Sequence, residues 1–453
     1  MKESLSFWNT GYTAPKSKEQ WKKETTSVKE DIRITSFHSQ EDALRLLNSG
    51  KNVFLTGGAG TGKSYVLKKF VSSCSGKNIL VTAPTGIAAN NIEGSTLHRT
   101  FKLPLGIISK QIIHSEEQDR EAYRKKLLKH TDVLIIDEIS MCRADLFSYI
   151  ADLILEQENY GHNIQVVFCG DFFQLPPVIS SSEKETFQEL FPDNINGWCF
   201  LTEQWKKLNL VTCSLEKVYR QDNLDFVNAL NQIRKGELKG IDFINKNYCR
   251  EEIISAVSLC GTNSLATEIN LNNLERINSA TYEYDIIKEG KVSDSDIRCE
   301  QLLSLKVGAR VIILINDPSG SLFQNGSFGT VMDLAPDKIK VSLDDSKVIV
   351  ELPKNTWSIY GYEFDEVSGL IKKNVIGTYK QIPVRLGWAV TVHKSQGSTY
   401  ESVNLKSTRF WDYGQLYVAL SRCRSIDKLF IPTLLSKLNI KVSSEVIDFF
   451  SKQ

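Results

Sequence analysis

Residues 57–64 read Gly57-Gly58-Ala59-Gly60-Thr61-Gly62-Lys63-Ser64, a match to G-x-x-x-x-G-K-[ST]. Such a loop works only between a buried strand and the first turn of a helix, so it dictates the surrounding fold. The flanks comply. Asn52-Val53-Phe54-Leu55-Thr56 is an apolar run that reads as a strand, and Tyr65 to Val71 carries a helical pattern. Glycines let successive backbone N–H groups face phosphate oxygens, and the helix dipole adds to the attraction. Lys63 is placed to reach the β- and γ-phosphates, and the Ser64 hydroxyl to hold Mg²⁺. The expectation is a site for a nucleoside triphosphate.

The pattern around this loop is that of a layered α/β protein. From about residue 36 to 209, apolar runs at 52–56, 78–82, 133–136 and 164–168 alternate with helical stretches. Continuous apolar strands separated by helices imply a parallel sheet covered on both faces, with ligands at the carboxyl ends of its strands. A second alternating block begins near Leu210 and includes the run 254–260 and a helical segment from Leu265 to Ile277. Between about 306 and 383 the character changes to short strands at 311–314, 330–334, 339–343 and 348–352. Gly326, Gly329, Asp344 and Gly361 punctuate them, which signals hairpins and a small antiparallel barrel inserted in the second block. The α/β pattern then resumes at Val384 and continues to 453.

Bulk properties narrow the function classes. A chain of 453 residues suggests about three domains. The formal net charge is +1, so a nucleic-acid partner would need a local basic groove. Nine cysteines form no C-x-x-C pair, which points to buried thiols rather than a zinc site or disulfide framework. Residues 1–35 read as an arm whose Trp8, Tyr12 and Trp21 either dock or stay loose. Its acidic residues and lack of Arg up to residue 32 do not fit a transit peptide, and no run reaches membrane-spanning length. The expected location is cytoplasmic in a bacterium or phage and nuclear in a eukaryote.

Two further segments carry chemistry. Leu134-Ile135-Ile136 ends in Asp137-Glu138, which places one carboxylate to hold Mg²⁺ and the next to polarise an attacking water. Gly170-Asp171-Phe172-Phe173-Gln174-Leu175-Pro176-Pro177 follows the run 164–168, and Gln174 there is suited to sense a γ-phosphate and orient water. The plain alternative for that segment is a polar turn with an aromatic plug.

In order and text these segments resemble superfamily 1B helicases of the RecD-like branch that contains the Pif-type DNA helicases. The likeness runs from about Gln40 to Arg424. Ser39-Gln40 resembles the family's adenine-reading glutamine. Ala83 to Ala89 and Gly94 to His98 resemble its first strand-contacting segments, and Glu216 to Gln221 its motif IV. Thr262-Asn263 with Asn270, Trp388 to Gly397, and Tyr417 to Arg424 are similar to later segments of the second motor domain. Tyr160-Gly161-His162-Asn163 stands where the Pif subgroup carries a Gly-Gly pair, and Ser398 and Gly387 also depart from the usual text. Those departures leave the Pif subgroup and a neighbouring RecD-like branch both open.

The resemblance implies two RecA-like domains with Mg-ATP between them, a wedge subdomain near 94–115, and 5′-to-3′ movement on single-stranded DNA. It implies that Arg220 and Arg422 reach across to the γ-phosphoryl group and that Gly397 adjoins the nucleotide. For the strand-binding groove it suggests Pro84, Thr85, His98, Thr262, Asn263, His393 and Ser395, with Phe101 as base platform or wedge. Without it, His98 and His393 would read as buried, hydrogen-bonded histidines and Phe101 as core. Implied partners are single-stranded and forked or tailed duplex DNA, met as a monomer that works beside replication or repair proteins.

Overall fold

The computed structural model describes residues 38–452 apart from 105, 110–117, 298, 319–321, 324, 345, 366–369 and 408. The expected arm 1–35 and the segment 110–115 of the expected wedge lie outside the described residues.

Six strands build the first sheet: β1 (Val53–Gly57), β2 (Ile79–Ala83), β3 (Ser95–Thr96), β4 (Val133–Ile136), β5 (Gln165–Cys169) and β6 (Val211–Leu215). They pair in the order β3-β2-β4-β5-β1-β6, every pair parallel. β1, β4 and β5 are buried along their whole length, which is why they carry no polar alternation. Because β5 lies between β4 and β1, three strand ends sit side by side. One leads into the glycine loop, one into Asp137-Glu138, and one into Gly170-Asp171. The order of the strands, more than any single contact, assembles the site.

The second parallel sheet starts with β7 (Val257–Cys260). The chain then leaves it for ten mostly antiparallel strands. These are β8 (Tyr282–Asp285), β9 (Ile287–Gly290), β10 (Leu302–Leu305), β11 (Arg310–Ile313), β12 (Phe328–Leu334), β13 (Lys338–Leu343), β14 (Ile349–Pro353), β15 (Asn355–Asp365), β16 (Leu370–Gln381) and β17 (Val384–Leu386). It returns with β18 (Ala389–Thr391), β19 (Val403–Leu405) and β20 (Leu429–Phe430), giving the parallel order β18-β7-β19-β20.

Three boundaries differ from the sequence expectation. β6 was expected in the second block, yet it pairs with β1 over five residues as the edge of the first sheet; an apolar run does not reveal its partner. The antiparallel part begins at Tyr282 rather than 306, since β9 pairs with β16 and β8 with β10. Its largest sheet runs in the order β14-β13-β12-β11-β17 and shares one core with β8 and β10. Finally, the helix Ser444–Ser451 was grouped with the second block but packs on the first core. Phe449 lies 4.6 Å from Phe200 and Phe450 stacks 5.0 Å from Phe173 between ring centroids.

Candidate nucleotide site between the two parallel sheets

The three strand ends face a cleft of about 530 Å³ whose opposite wall is Arg220, Gly397 and Arg422. Ala59, Gly60, Gly62, Lys63 and Ser64 line it from the loop, Asp137 and Glu138 from the end of β4, and Gln174 from beyond β5. Gly57, Gly58 and Thr61 turn to the other side of the loop, where they border a separate cavity of about 710 Å³. Lys63, Ser64, Asp137, Glu138, Gln174, Arg220 and Arg422 thus line one cleft, and Gln40 adjoins it at Gly62.

The loop is held by backbone constraints. Gly60 has φ +80°, and a Cβ there would lie 2.5 Å from the Arg220 Cβ. Gly62 has φ +84° and begins the helix Lys63–Ser73; a side chain would collide with the Gln40 amide. Gln40 itself donates to the Thr61 carbonyl at 3.1 Å, from a helix capped by Ser39. Lys63 Nζ donates to the Gly57 and Gly58 carbonyls at 2.8 and 3.1 Å. The Tyr219 N–H donates to the Gly60 carbonyl at 2.8 Å, tying the opposite wall to the loop.

Charge is concentrated where solvent is scarce. Burial raises the Asp137 carboxyl above its ordinary range. Burial and then the neighbouring Asp137 push Glu138 up to about 7, against the pull of Lys63 and Arg422. Burial and then Arg422 push Arg220 down to about 9, and burial likewise lowers Arg422. Two desolvated guanidinium groups that repel each other form a wall that an anion would stabilise. Arg422 is rigidly placed, donating to Val418 O at 2.9 Å, Ser398 O at 3.1 Å and Ser421 Oγ at 2.9 Å. Arg220 donates to Ser421 O at 3.1 Å.

The expected strand-contacting residues divide. Pro84, Thr85 and His98 are partly exposed, as is His393, whose Nε2 lies 3.6 Å from Asp412 Oδ2. Burial lowers the His98 pKa, as does the nearby Arg143. Asn263 is exposed, and so is Thr262, although its hydroxyl caps the helix Asn263–Glu275 by accepting from Leu265 N. Two expectations fail on burial. Phe101 has no exposed surface and lies in the first core, with its carbonyl taken by Arg124 Nε, so it offers no ring face to a base. Ser395 is equally buried and donates to Val392 O at 2.7 Å, so its hydroxyl is spent inside the protein.

Sequence reasoning also overlooked four side chains. Tyr417 OH accepts from the Ala59 N–H at 2.7 Å. Gln396 Nε2 donates to Glu138 Oε2 at 3.1 Å. Asp171, wholly buried, takes two guanidinium nitrogens of Arg234, with Nη2 at 2.7 Å from Oδ1 and Nε at 3.1 Å from Oδ2. Asp171, Gln396 and Tyr417 stood inside segments already singled out; Arg234 had no signal at all.

A PIF1-like helicase family model matches residues 37–242. The chain is 31% identical over 447 residues to the ATP-dependent DNA helicase Pif1 of Campylobacter jejuni, covering 91% of this chain and 97% of that one. It belongs to the PIF1-like helicase family. It is also 32% identical to the ATP-dependent DNA helicase PIF1 of Danio rerio, over 91% of this chain and 63% of the relative. The chain spans under two thirds of the length of that vertebrate relative. Among solved structures, Bacteroides sp. Pif1 in complex with ADP-AlF4 is 34% identical and superposes with a TM-score of 0.79, over 91% of this chain and 96% of that one. Bacteroides Pif1 bound to ssDNA has the same identity and coverage with a TM-score of 0.64. The two parallel sheets are therefore the paired RecA-like layers of this family, and the antiparallel strands are the insert in the second. Among the described residues no helix is long and apolar enough to cross a membrane.

Proposed function

We propose that this protein is an ATP-dependent DNA helicase that moves 5′ to 3′ on single-stranded DNA and separates duplexes carrying a 5′ tail. The observation that carries the reading is the meeting of Lys63, Asp137, Glu138, Arg220 and Arg422 around one cleft between two RecA-like sheets. A passive nucleotide switch needs the loop. It does not need a half-buried carboxylate base and two arginines from the opposite wall.

In this reading Gln40 reads adenine and the loop N–H groups with Lys63 hold the β- and γ-phosphates. Glu138 accepts the proton of the attacking water, which Gln174 orients. Its raised pKa brings its basicity near the operating pH, where a general base is most effective. Arg220 and Arg422 stabilise charge on the transferring phosphoryl, a role that contributes about 10³–10⁵ in rate in related enzymes. The Ser64 hydroxyl and the Asp137 carboxylate are hard oxygen donors lining the same cleft, a set that fits Mg²⁺. Among the described residues no cluster of three or more His, Cys, Asp or Glu forms a closed cage; Mg²⁺ characteristically takes one or two protein oxygens and completes its shell with phosphates and water. When bound it would neutralise phosphate charge.

Closing the cleft would shift the second sheet and its insert relative to the first, and alternating grip would convert that shift into movement along DNA. Residues 36–209, extended by β6, and the second block serve as the two motor domains, acting as a monomer on single-stranded, forked or tailed DNA. Pro84, Thr85 and His98 would grip from the first, and Thr262, Asn263 and His393 from the second. The deciding measurement is ATP turnover with and without single-stranded DNA, beside Lys63→Ala. DNA-stimulated turnover that Lys63→Ala abolishes while strand binding persists supports the reading. Turnover indifferent to DNA, or retained in the variant, overturns it.

A further inference from the structure

The segment Asp171–Leu175 belongs to the first sheet by sequence, following β5, yet the second motor domain grips it from several sides. Arg234, at the end of the helix Leu224–Arg234, forms the two-pronged ion pair with Asp171. Its guanidinium also lies 4.3 Å from the Phe173 ring centroid. Leu175 is buried in the core of the second domain, beside Phe226, Leu230 and Leu416. Gly414, in the left-handed region at φ +68°, caps the helix Gln415–Leu420. It approaches so closely that a Cβ would strike the backbone carbonyls of Phe173 and Gln174. Within this grip, Gln174 Nε2 donates to Asp171 Oδ2 at 3.3 Å.

We propose that Asp171 and Arg234 are positioning residues that orient the Gln174 amide for hydrolysis only while the second domain is docked on the first. The inference rests on the ATPase reading above. A carboxylate can only accept hydrogen bonds, so it selects the nitrogen end of the Gln174 amide. The amide oxygen is then the acceptor left for the cleft that Gln174 lines, the polarity needed to receive a proton of an attacking water. Asp171 in turn is fixed because Arg234 presents a planar fork that matches both carboxylate oxygens. Arg234 belongs to the other domain, so the pair can form only when the two domains are in register. Opening the cleft would strip a fully buried carboxylate of its partner, and the amide would lose its fixed orientation. Interdomain closure and water orientation are thus one event rather than two.

The test is a double-mutant cycle on the full chain. Asp171→Asn, Arg234→Gln and the milder Arg234→Lys are each made in the wild type and in a Gln174→Ala background. ATP turnover is measured with single-stranded DNA, beside thermal unfolding of each variant. Each change is expected to lower kcat about tenfold or more, with little change in KM, because its effect lies in orienting a group for the transition state. In the Gln174→Ala background the same changes should cost almost nothing further, because the residue they act through is gone. A merely structural ion pair would lower turnover equally in both backgrounds, and that result overturns the proposal. So does a kcat within about twofold of wild type in the single variants. Should Asp171→Asn fail to fold, the Arg234→Lys arm carries the comparison, since it keeps the charge and loses the fork. A wild-type chain without ATP turnover removes both this inference and the reading beneath it. An active wild type with unaffected variants removes the inference alone.

Discussion

Glu138 and Gln396 are 258 positions apart in the chain and meet through one hydrogen bond, Gln396 Nε2 to Glu138 Oε2 at 3.1 Å. The base expected from the first domain is thus held by an amide of the second. Glu138 also adopts φ +49°, a left-handed conformation that costs a non-glycine residue on the order of 1–3 kcal/mol. Its own N–H donates to Asp137 Oδ1 at 2.9 Å, which helps to hold that conformation.

Glu138→Gln keeps the shape of the side chain and removes its basicity. Turnover should fall by about 10²–10⁴ while nucleotide affinity stays near the wild-type value. Single-turnover hydrolysis beside equilibrium binding of a fluorescent nucleotide separates the two quantities. Turnover near wild type would remove Glu138 from the role of base.

Arg220 and Arg422 should answer differently to truncation. Arg422 is wholly buried and bonded to three acceptors, so Arg422→Ala strands the Ser398 carbonyl, while the Val418 carbonyl keeps the Ser421 hydroxyl, and costs about 1–3 kcal/mol of stability besides turnover. Arg220 has one such bond, so Arg220→Ala should lower kcat about 10³-fold with little change in melting temperature. A lysine at either position would lack the guanidinium fork and restore little. Steady-state kinetics beside thermal melts give the comparison. A rise in KM alone would make either arginine a residue of ground-state binding.

Phe101→Ala tests the correction made by burial. A fully buried phenylalanine replaced by alanine should cost about 3–5 kcal/mol of stability. A ring that stacked on a base would instead cost strand affinity, about 1–3 kcal/mol, with the melting temperature unmoved. Denaturant unfolding and strand-binding titrations on the same variant distinguish the two.

The legible and the illegible parts of the fold separate for a physical reason. β1, β4 and β5 are buried on both faces, so each announces itself as a continuous apolar run, and the residues at their ends were readable as a site. β3 is two residues long and leaves no periodic trace. β6 was visible as a run, but its partner is a matter of topology. Phe101 and Ser395 stood in segments with the right text, and only packing reveals which side chains of such a segment turn inward. Arg234 is the clearest case. It ends an ordinary amphipathic helix, and its meaning lies wholly in Asp171, 63 positions earlier.

The last prediction is direction. On duplexes with a single tail, ATP-dependent strand displacement should be efficient with a 5′ tail and weak with a 3′ tail. Both halves expose candidate grips: Pro84 and Thr85 ahead of the helix Gly86–Asn91, and His393, paired with Asp412, after β18. Movement needs those grips to alternate in strength as the cleft closes and opens. Polarity follows from which half holds tighter when closed, and the sheet topology is the same for either answer. The family resemblance supplies the choice of 5′ to 3′, and the clasp of Asp171 by Arg234 ties the two halves together beside the cleft. Displacement of a labelled strand from both substrates, with Glu138→Gln as the turnover-deficient control, reads the direction. Efficient opening of the 3′-tailed duplex alone would reverse the proposed polarity while leaving the ATP chemistry intact.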